Sequence, residues 1–259
     1  MSKFTDRLDE INEGAPARMG FGPARAAKVP GLALIIQVSK DHKAGAATAT
    51  EVSPDGIILS GLSGVAQVKD LKDDLSDVIW GVRTDALSTA DAKAYEEDGS
   101  GVVAFHLKGT AMGAVSSEES ATVLCIEPDT GIEELRDINA LPIDAVLFPM
   151  SGASSSWTLD DLATVARISG RLNKYLLAEI TEPPSADDLK VLRTAGIDAL
   201  VLDVSAGKGV LESLKKSLMD MPKAGSEKSG RANAILPGVA YSSQREDAVP
   251  EPDEGDDDE

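Results

Sequence analysis

The residues of this chain best suited to chemistry stand at or just past the C-terminal ends of short apolar runs. They are Gln37, Ser60, Arg83, His106, Lys108, Glu127, Glu179 and Asp203. His106, Lys108, Glu127 and Glu179 carry groups that can move protons or attack carbon, and are the candidate catalytic residues. Gln37, Ser60, Arg83 and Asp203 are hydrogen-bonding or charged groups suited to holding a substrate. Burying a polar group without a partner costs about 1–3 kcal/mol, and an unpaired charge costs more. So many ionisable groups are therefore expected either to line a functional pocket or to neutralise one another. On the second reading the natural pairs are Lys108 with Glu127 and Arg83 with Asp203.

A second group follows the last run, in Ser205-Ala-Gly-Lys-Gly209. Backbone amides at a Gly-rich turn and helix start can hold a phosphate or carboxylate. Ser205, Gly207, Lys208 and Gly209 are accordingly assigned to substrate binding, with Lys208 adding charge. The segment lacks the first Gly and the Ser or Thr of a P-loop. Ser151–Ser156, rich in hydroxyls and Gly, is either a substrate-contacting lid or a plain linker.

Other chemistries have less behind them. A Schiff base on Lys108 asks for a dry pocket, and a neighbouring carboxylate such as Glu127 works against it. With two histidines and one cysteine in the chain, a zinc site is disfavoured and no cofactor is expected. Mg²⁺ on the oxygens of Glu127, Glu179 and Asp203 is the one alternative. His106 is the only histidine within an apolar run, whereas His42 is expected in an exposed loop. Cys125 shares the parity of Glu127 and reads as a small core residue. No Gly-x-Ser-x-Gly elbow marks a serine hydrolase.

The elements that position these groups repeat. Eight apolar runs recur at intervals of about two dozen residues: Leu32–Val38, Gly56–Leu59, Val78–Val82, Val102–Leu107, Thr122–Ile126, Ala145–Phe148, Tyr175–Ile180 and Ala199–Val204. That period fits one strand, one helix and two short loops, and eight such units close a (β/α)₈ (TIM) barrel of about 250 residues. The runs are continuous rather than alternating, as expected of parallel strands buried on both faces. Strand parity then directs the polar set inward at the C-terminal mouth, where barrel active sites lie. An open doubly wound sheet is the alternative topology.

Local signals agree. Ser88–Asp91, Thr158–Asp161 and Ser185–Asp188 each place a hydroxyl three residues before an acid at a helix start. Gly99, Gly170 and Gly196 stand where those helices should stop. Asp55, Asp77, Asp144 and Asp198 each open an apolar run and suggest a polar lip at the barrel's other end. Val210, Leu211, Leu214, Leu218 and Met221 form the apolar face of the last helix. Between the fourth and fifth runs, Lys108–Ala121 leaves room for only a short helix. Phe4, Leu8 and Ile11 share a helix face that either covers the N-terminal mouth or meets another subunit in a homo-oligomer. The division is residues 1–31 for the N-terminal helix and loop, 32–221 for the barrel, and 222–259 for a flexible acidic tail.

Across 32–221 the pattern resembles the phosphate-binding and aldolase-type (β/α)₈ barrels, most of all in Leu189-Lys-Val-Leu-Arg-Thr-Ala-Gly-Ile-Asp-Ala-Leu-Val-Leu-Asp203. The resemblance is structural and implies the fold. The phosphate-binding members carry Gly-rich loops after strands seven and eight, whereas here Thr181-Glu-Pro-Pro184 follows strand seven.

The formal charge is −19, and nine of the last fourteen residues are acidic. The chain lacks the clustered Lys and Arg that nonspecific nucleic-acid or anionic-membrane binding needs, so neither partner is expected. The acidic tail serves solubility or contacts a basic partner. A single cysteine excludes an intrachain disulfide and fits a reducing, cytoplasmic setting. Two functions follow. One is a small-molecule enzyme, a lyase or isomerase acting at the C-terminal mouth on an anionic metabolite, with or without a phosphate. The other is a non-catalytic barrel that binds a protein through Arg18–Lys28 or the tail. An open mouth with unpaired Arg83, Lys108 or His106 would favour the first, and a filled one the second.

Overall fold

The computed structural model describes residues 2–13, 28–117, 119–150 and 157–222. The Ser151–Ser156 lid, most of the Arg18–Lys28 patch and the acidic tail lie outside the described residues. Eight parallel strands close into one ring in chain order: β1 (Ala33–Val38), β2 (Gly56–Ser60), β3 (Trp80–Thr84), β4 (Val102–His106), β5 (Ala121–Cys125), β6 (Ala145–Pro149), β7 (Tyr175–Ile180) and β8 (Ala199–Asp203). The helices are α1 (Lys3–Glu13), α2 (His42–Val52), α3 (Val65–Lys69), α4 (Thr89–Glu97), α5 (Ile132–Asn139), α6 (Leu159–Ser169), α7 (Ala186–Ala195) and α8 (Lys208–Asp220). The fourth unit has only a 3₁₀ turn, Met112–Val115, in keeping with its short connection.

Side chains divide by parity. Leu34, Ile36 and Val38 of β1 join the outer core under the helices. Ala33 and Ile35 join the inner one, and every other strand divides the same way. Helices α6 and α7 begin with reciprocal capping boxes at Thr158–Asp161 and Ser185–Asp188, and Ser88 caps α4. Gly99 and Gly196 take positive φ, which only glycine adopts without strain. Gly170 remains right-handed, and the glycine there serves close approach instead, since a Cβ would stand 2.9 Å from the Ala166 carbonyl oxygen. On α8, Leu211, Leu214 and Leu218 are buried as expected, but Val210 at the first turn is exposed.

Register fixes the levels of the barrel interior. From Gln37 the pairing passes through Ile58, Gly81, Val102 and Ala121. Continued with the same offsets it returns beside β1 at Val29, eight residues below its start. This is the shear of a TIM barrel, in which alternate strands fill each interior level with four residues. The lower levels are apolar, for example Ile58, Ala104, Leu147 and Val201. The next two, toward the C-terminal end, are Gln37/Arg83/Cys125/Glu179, then Ser60/His106/Pro149/Asp203, and Ser39, Asp85, Glu127 and Thr181 follow just past the ends of β1, β3, β5 and β7.

Helix α1 seals the N-terminal end. Phe4, Leu8 and Ile11 are at most 2% exposed and join the inner core, and each stabilises by about 1.5–3 kcal/mol. A Cβ at Gly56 would stand 3.5 Å from the Phe4 ring. The polar lip is also present. The carboxylates of Asp55, Asp144 and Asp198 accept the amides of Leu34, Thr122 and Leu176 at 2.8–2.9 Å, satisfying neighbouring strand starts. Asp77 makes no such bond among the described residues. Two of these aspartates also hold α1, through Arg7 to Asp55 at 2.8 Å and Asn12 to Asp198 at 2.7 Å. The Tyr175 hydroxyl donates to Asp9 of α1.

Candidate active site

The first polar level closes on itself. One guanidinium nitrogen of Arg83, Nη1, donates to Gln37 Oε1 at 3.1 Å and to Glu179 Oε2 at 2.8 Å. Gln37 Nε2 completes the triangle by donating to Glu179 Oε1 at 3.2 Å. The Arg83 and Glu179 side chains are 21% and 25% exposed, and Gln37 is buried. Burial works against the Arg83 charge, but the Cys125 sulfur and Glu179 carboxylate together hold its pKa above the ordinary value. Burial pushes the Cys125 thiol up to about 11 against the opposing pull of Arg83, and Glu179 and Glu127 add to the rise. At neutral pH Cys125 is thus a buried, protonated thiol.

At the second level the Asp203 carboxylate is held by hydrogen bonds. Its oxygens accept Ser39 Oγ at 2.7 Å and the Ser205 amide at 2.8 Å. Burial raises the Asp203 pKa, but these bonds, with Lys40 nearby, outweigh it and leave the group below its ordinary value. His106 and Ser60, by contrast, make no side-chain hydrogen bond to the described residues, although Ser60 is buried. Together with Gln37, Gly61, Arg83, Thr84 and Asp85 they line an open pocket of about 270 Å³ at the C-terminal mouth. Thr84 Oγ1 is buried at its wall without a partner.

Several expectations need correction. Arg83 pairs with Glu179 rather than Asp203, because Asp203 belongs to the next level up. No ion pair joins Lys108 to Glu127, and both are exposed. Lys208 faces away from the mouth: it forms a 2.6 Å ion pair with Glu51 of α2, with Glu212 at 3.8 Å. The Ser205 amide is taken by Asp203, and Gly207 O accepts the Val210 and Leu211 amides. Gly207 and Gly209 have open space around them, yet no side chain of the loop turns a charge toward the pocket. His42 is the first residue of α2 rather than a loop residue, with Nε2 2.8 Å from Ser60 O. Glu127, Glu179 and Asp203 do not converge. Among the described residues no three His, Cys, Asp or Glu side chains gather as a metal site.

Residue-by-residue reading missed Ser39, Thr84 and Asp85. Ser39 and Asp85 were within reach of parity, since each lies two residues beyond an assigned inward position. Larger hollows lie outside this mouth, one of about 630 Å³ at the N-terminal face beside Lys3 and Trp80, another of about 690 Å³ outside α2 and α3. Neither meets the inward polar levels. No helix among the described residues is long and apolar enough to cross a membrane.

No family model and no curated protein sequence matches the chain. Solved structures do. A mutant tryptophan synthase alpha-subunit from the hyperthermophile Pyrococcus furiosus superposes with a TM-score of 0.57 at 12% identity, over 72% of this chain and 96% of that one. Thiamine phosphate pyrophosphorylase from Pyrococcus furiosus gives 0.53 at 12%, over 72% and 95%. A 3-hexulose-6-phosphate synthase gives 0.54 at 14%, over 73% and 98%.

Proposed function

We propose that this chain, which shares the (β/α)₈ fold of aldolase-type barrels, is an enzyme that takes a small acidic metabolite at its C-terminal mouth. The observation that carries the reading is the open 270 Å³ pocket in which Arg83 lies beside the unengaged His106 and Ser60. The size sits at the lower edge of ligand pockets, which suits a compact substrate. The likeness to barrels whose names include phosphorylated compounds supports the same class.

A carboxylate or phosphate would enter opposite the Arg83 guanidinium, with exposed Lys108 at the rim adding attraction. Its arrival displaces Glu179 from Arg83 Nη1. Glu179 then takes a proton from the carbon next to the substrate's carbonyl or carboxyl carbon, and the electron pair is held as the enolate. In an isomerase His106 protonates another atom of that enolate; in a lyase the pair expels a leaving group from the adjacent carbon as a double bond forms, and His106 protonates the departing group. The test is a thermal-shift screen of acidic metabolites on the full chain. A ligand at a hundred times its Kd stabilises by about 2.7 kcal/mol, which raises Tm by about 5–10 °C at this size. Arg83→Met abolishes the rise. Failure of every acid to stabilise the wild type, or a shift that survives Arg83→Met, refutes the proposal.

One observation favours a second reading, a non-catalytic barrel that binds a protein. Arg83 already has two protein partners, as a self-neutralising lining requires. Under that reading Arg83→Met and Glu179→Gln alter stability and no ligand response.

A further inference from the structure

We propose that the acid taken at this mouth also carries an amino group, as a 2-amino acid does, and that Asp85 binds its ammonium. This rests on the reading of the mouth as a substrate site. The charges of the pocket point to it. Arg83 is already balanced by Glu179 at 2.8 Å, while the Asp85 carboxylate, in the lining of the same pocket, makes no side-chain hydrogen bond or ion pair among the described residues; only the Asp85 backbone carbonyl is engaged, by the His106 amide at 3.2 Å. The exposed Glu127 carboxylate, just past β5, is likewise unpaired among the described residues. Exposed Lys108 pairs with neither. The wall therefore carries a carboxylate in excess, and a purely anionic ligand would leave it uncompensated. A zwitterion compensates it.

The spacing agrees. Arg83, on β3, and Asp85, one residue past the end of that strand, both line the pocket, and extended backbone would set their Cα atoms about 6–7 Å apart. An acid group and an amine on one carbon, each within hydrogen-bond reach of its partner, span that interval. Arg83 lies deeper and Asp85 nearer the rim, so the acid enters first and the ammonium stays outward. Between them, on the intervening level, are the unengaged Ser60 hydroxyl and His106 ring. Both can meet a substituent of the substrate. The buried Thr84 hydroxyl without a partner lies in the same wall.

The experiment compares matched acids on the full chain by calorimetry or ligand-detected NMR: alanine against lactate, serine against glycerate, aspartate against malate. The amino member of at least one pair binds about fivefold tighter than its hydroxy analogue, which is the upper range for a solvent-exposed ion pair. Asp85→Asn removes that preference by weakening the amino acid, while the hydroxy acid, relieved of a repelling carboxylate, binds at least as tightly as to the wild type. Because Asp85 is exposed and unpartnered, the variant folds as the wild type does, and its unchanged Tm documents this. Equal binding of amino and hydroxy acids, or a preference that survives Asp85→Asn, overturns the assignment while leaving the acid-binding mouth in place. If no member of any pair binds, the substrate reading of the mouth fails, and this one with it.

Discussion

Replacing Arg83 and Glu179, singly and together, separates an ion pair kept for function from one that holds the barrel together. Their 2.8 Å contact is about three-quarters buried at both ends, and Gln37 bonds to each. Glu179→Leu strands the guanidinium and leaves Gln37 Nε2 without its acceptor. Removing one partner of a fully buried pair costs about 3–5 kcal/mol. Partial exposure brings the expected loss here to about 2 kcal/mol. With a urea slope of about 2 kcal/mol/M, the midpoint falls by about 1 M. Arg83→Met costs a similar amount by stranding the carboxylate. The double variant Arg83→Met, Glu179→Leu recovers most of the loss, because apolar side chains of like volume avoid desolvating two charges. It should unfold within about 1 kcal/mol of the wild type; against single losses that sum to about 4 kcal/mol this is a coupling of about 3 kcal/mol or more, the top of the range for residues in one network. Equilibrium urea unfolding at neutral pH reads all four proteins. A coupling below about 0.3 kcal/mol, within the error of additivity, refutes the claim that this contact governs the level. A double variant more than about 3 kcal/mol less stable places the cluster among the structural supports of the mouth, since loss of a functional pair need not weaken the fold.

Cys125, with its thiol pushed up to about 11 from 9.0, makes the protein lose stability on alkalinisation: above pH 9 the unfolded chain ionises first, so stability falls until the folded thiol also ionises near 11. The loss is about 2–3 kcal/mol, and Cys125→Ala removes that part of the alkaline slope in urea titrations between pH 8 and 11.5; identical slopes would contradict the burial. Phe4→Ala, truncating a side chain 1% exposed in the N-terminal plug, costs about 3–5 kcal/mol, read as a lower urea midpoint. Because the plug is at the end opposite the pocket, ligand Kd for the folded fraction stays unchanged, and a stability loss under 1 kcal/mol would mean that α1 is dispensable to the barrel.

Much of this architecture is legible in the chain because each strand is buried on two unlike sides. In β1, Leu34, Ile36 and Val38 are uniformly apolar under the helices, whereas Ala33, Ile35 and Gln37 turn polar at the last inward step. The same break occurs at Ser60, Arg83, His106, Glu179 and Asp203, so parity finds the strand residues that turn polar toward the mouth, though not Thr84, which lines the pocket from the opposite parity. Partner choice is different. It depends on which residues of non-adjacent strands share a height, and height is set by the shear, a property of closure that no single strand encodes. Arg83 and Asp203 look equally available as partners along the sequence. With a shear of eight, a step of two strands climbs two residues, so Arg83 falls level with Cys125 and Glu179, and Asp203 with Ser60 and His106.

The loop after β8 has its side chains directed by more local partners. Its glycines and lysine have the composition of an anion site, but composition does not specify direction. Glu51, near the end of α2, offers Lys208 a partner on the outer surface, and the Asp203 carboxylate consumes the nearest amide. The order of the levels then determines how any substrate must approach. Apolar side chains fill the lower barrel and α1 seals its base, which leaves the C-terminal end as the approach to the inward polar levels. A molecule arriving there meets Asp85, past the end of β3, before Arg83, deeper on that strand. An acid group thus approaches the guanidinium against the free Asp85 carboxylate, and a positive charge carried on the same molecule lowers that barrier.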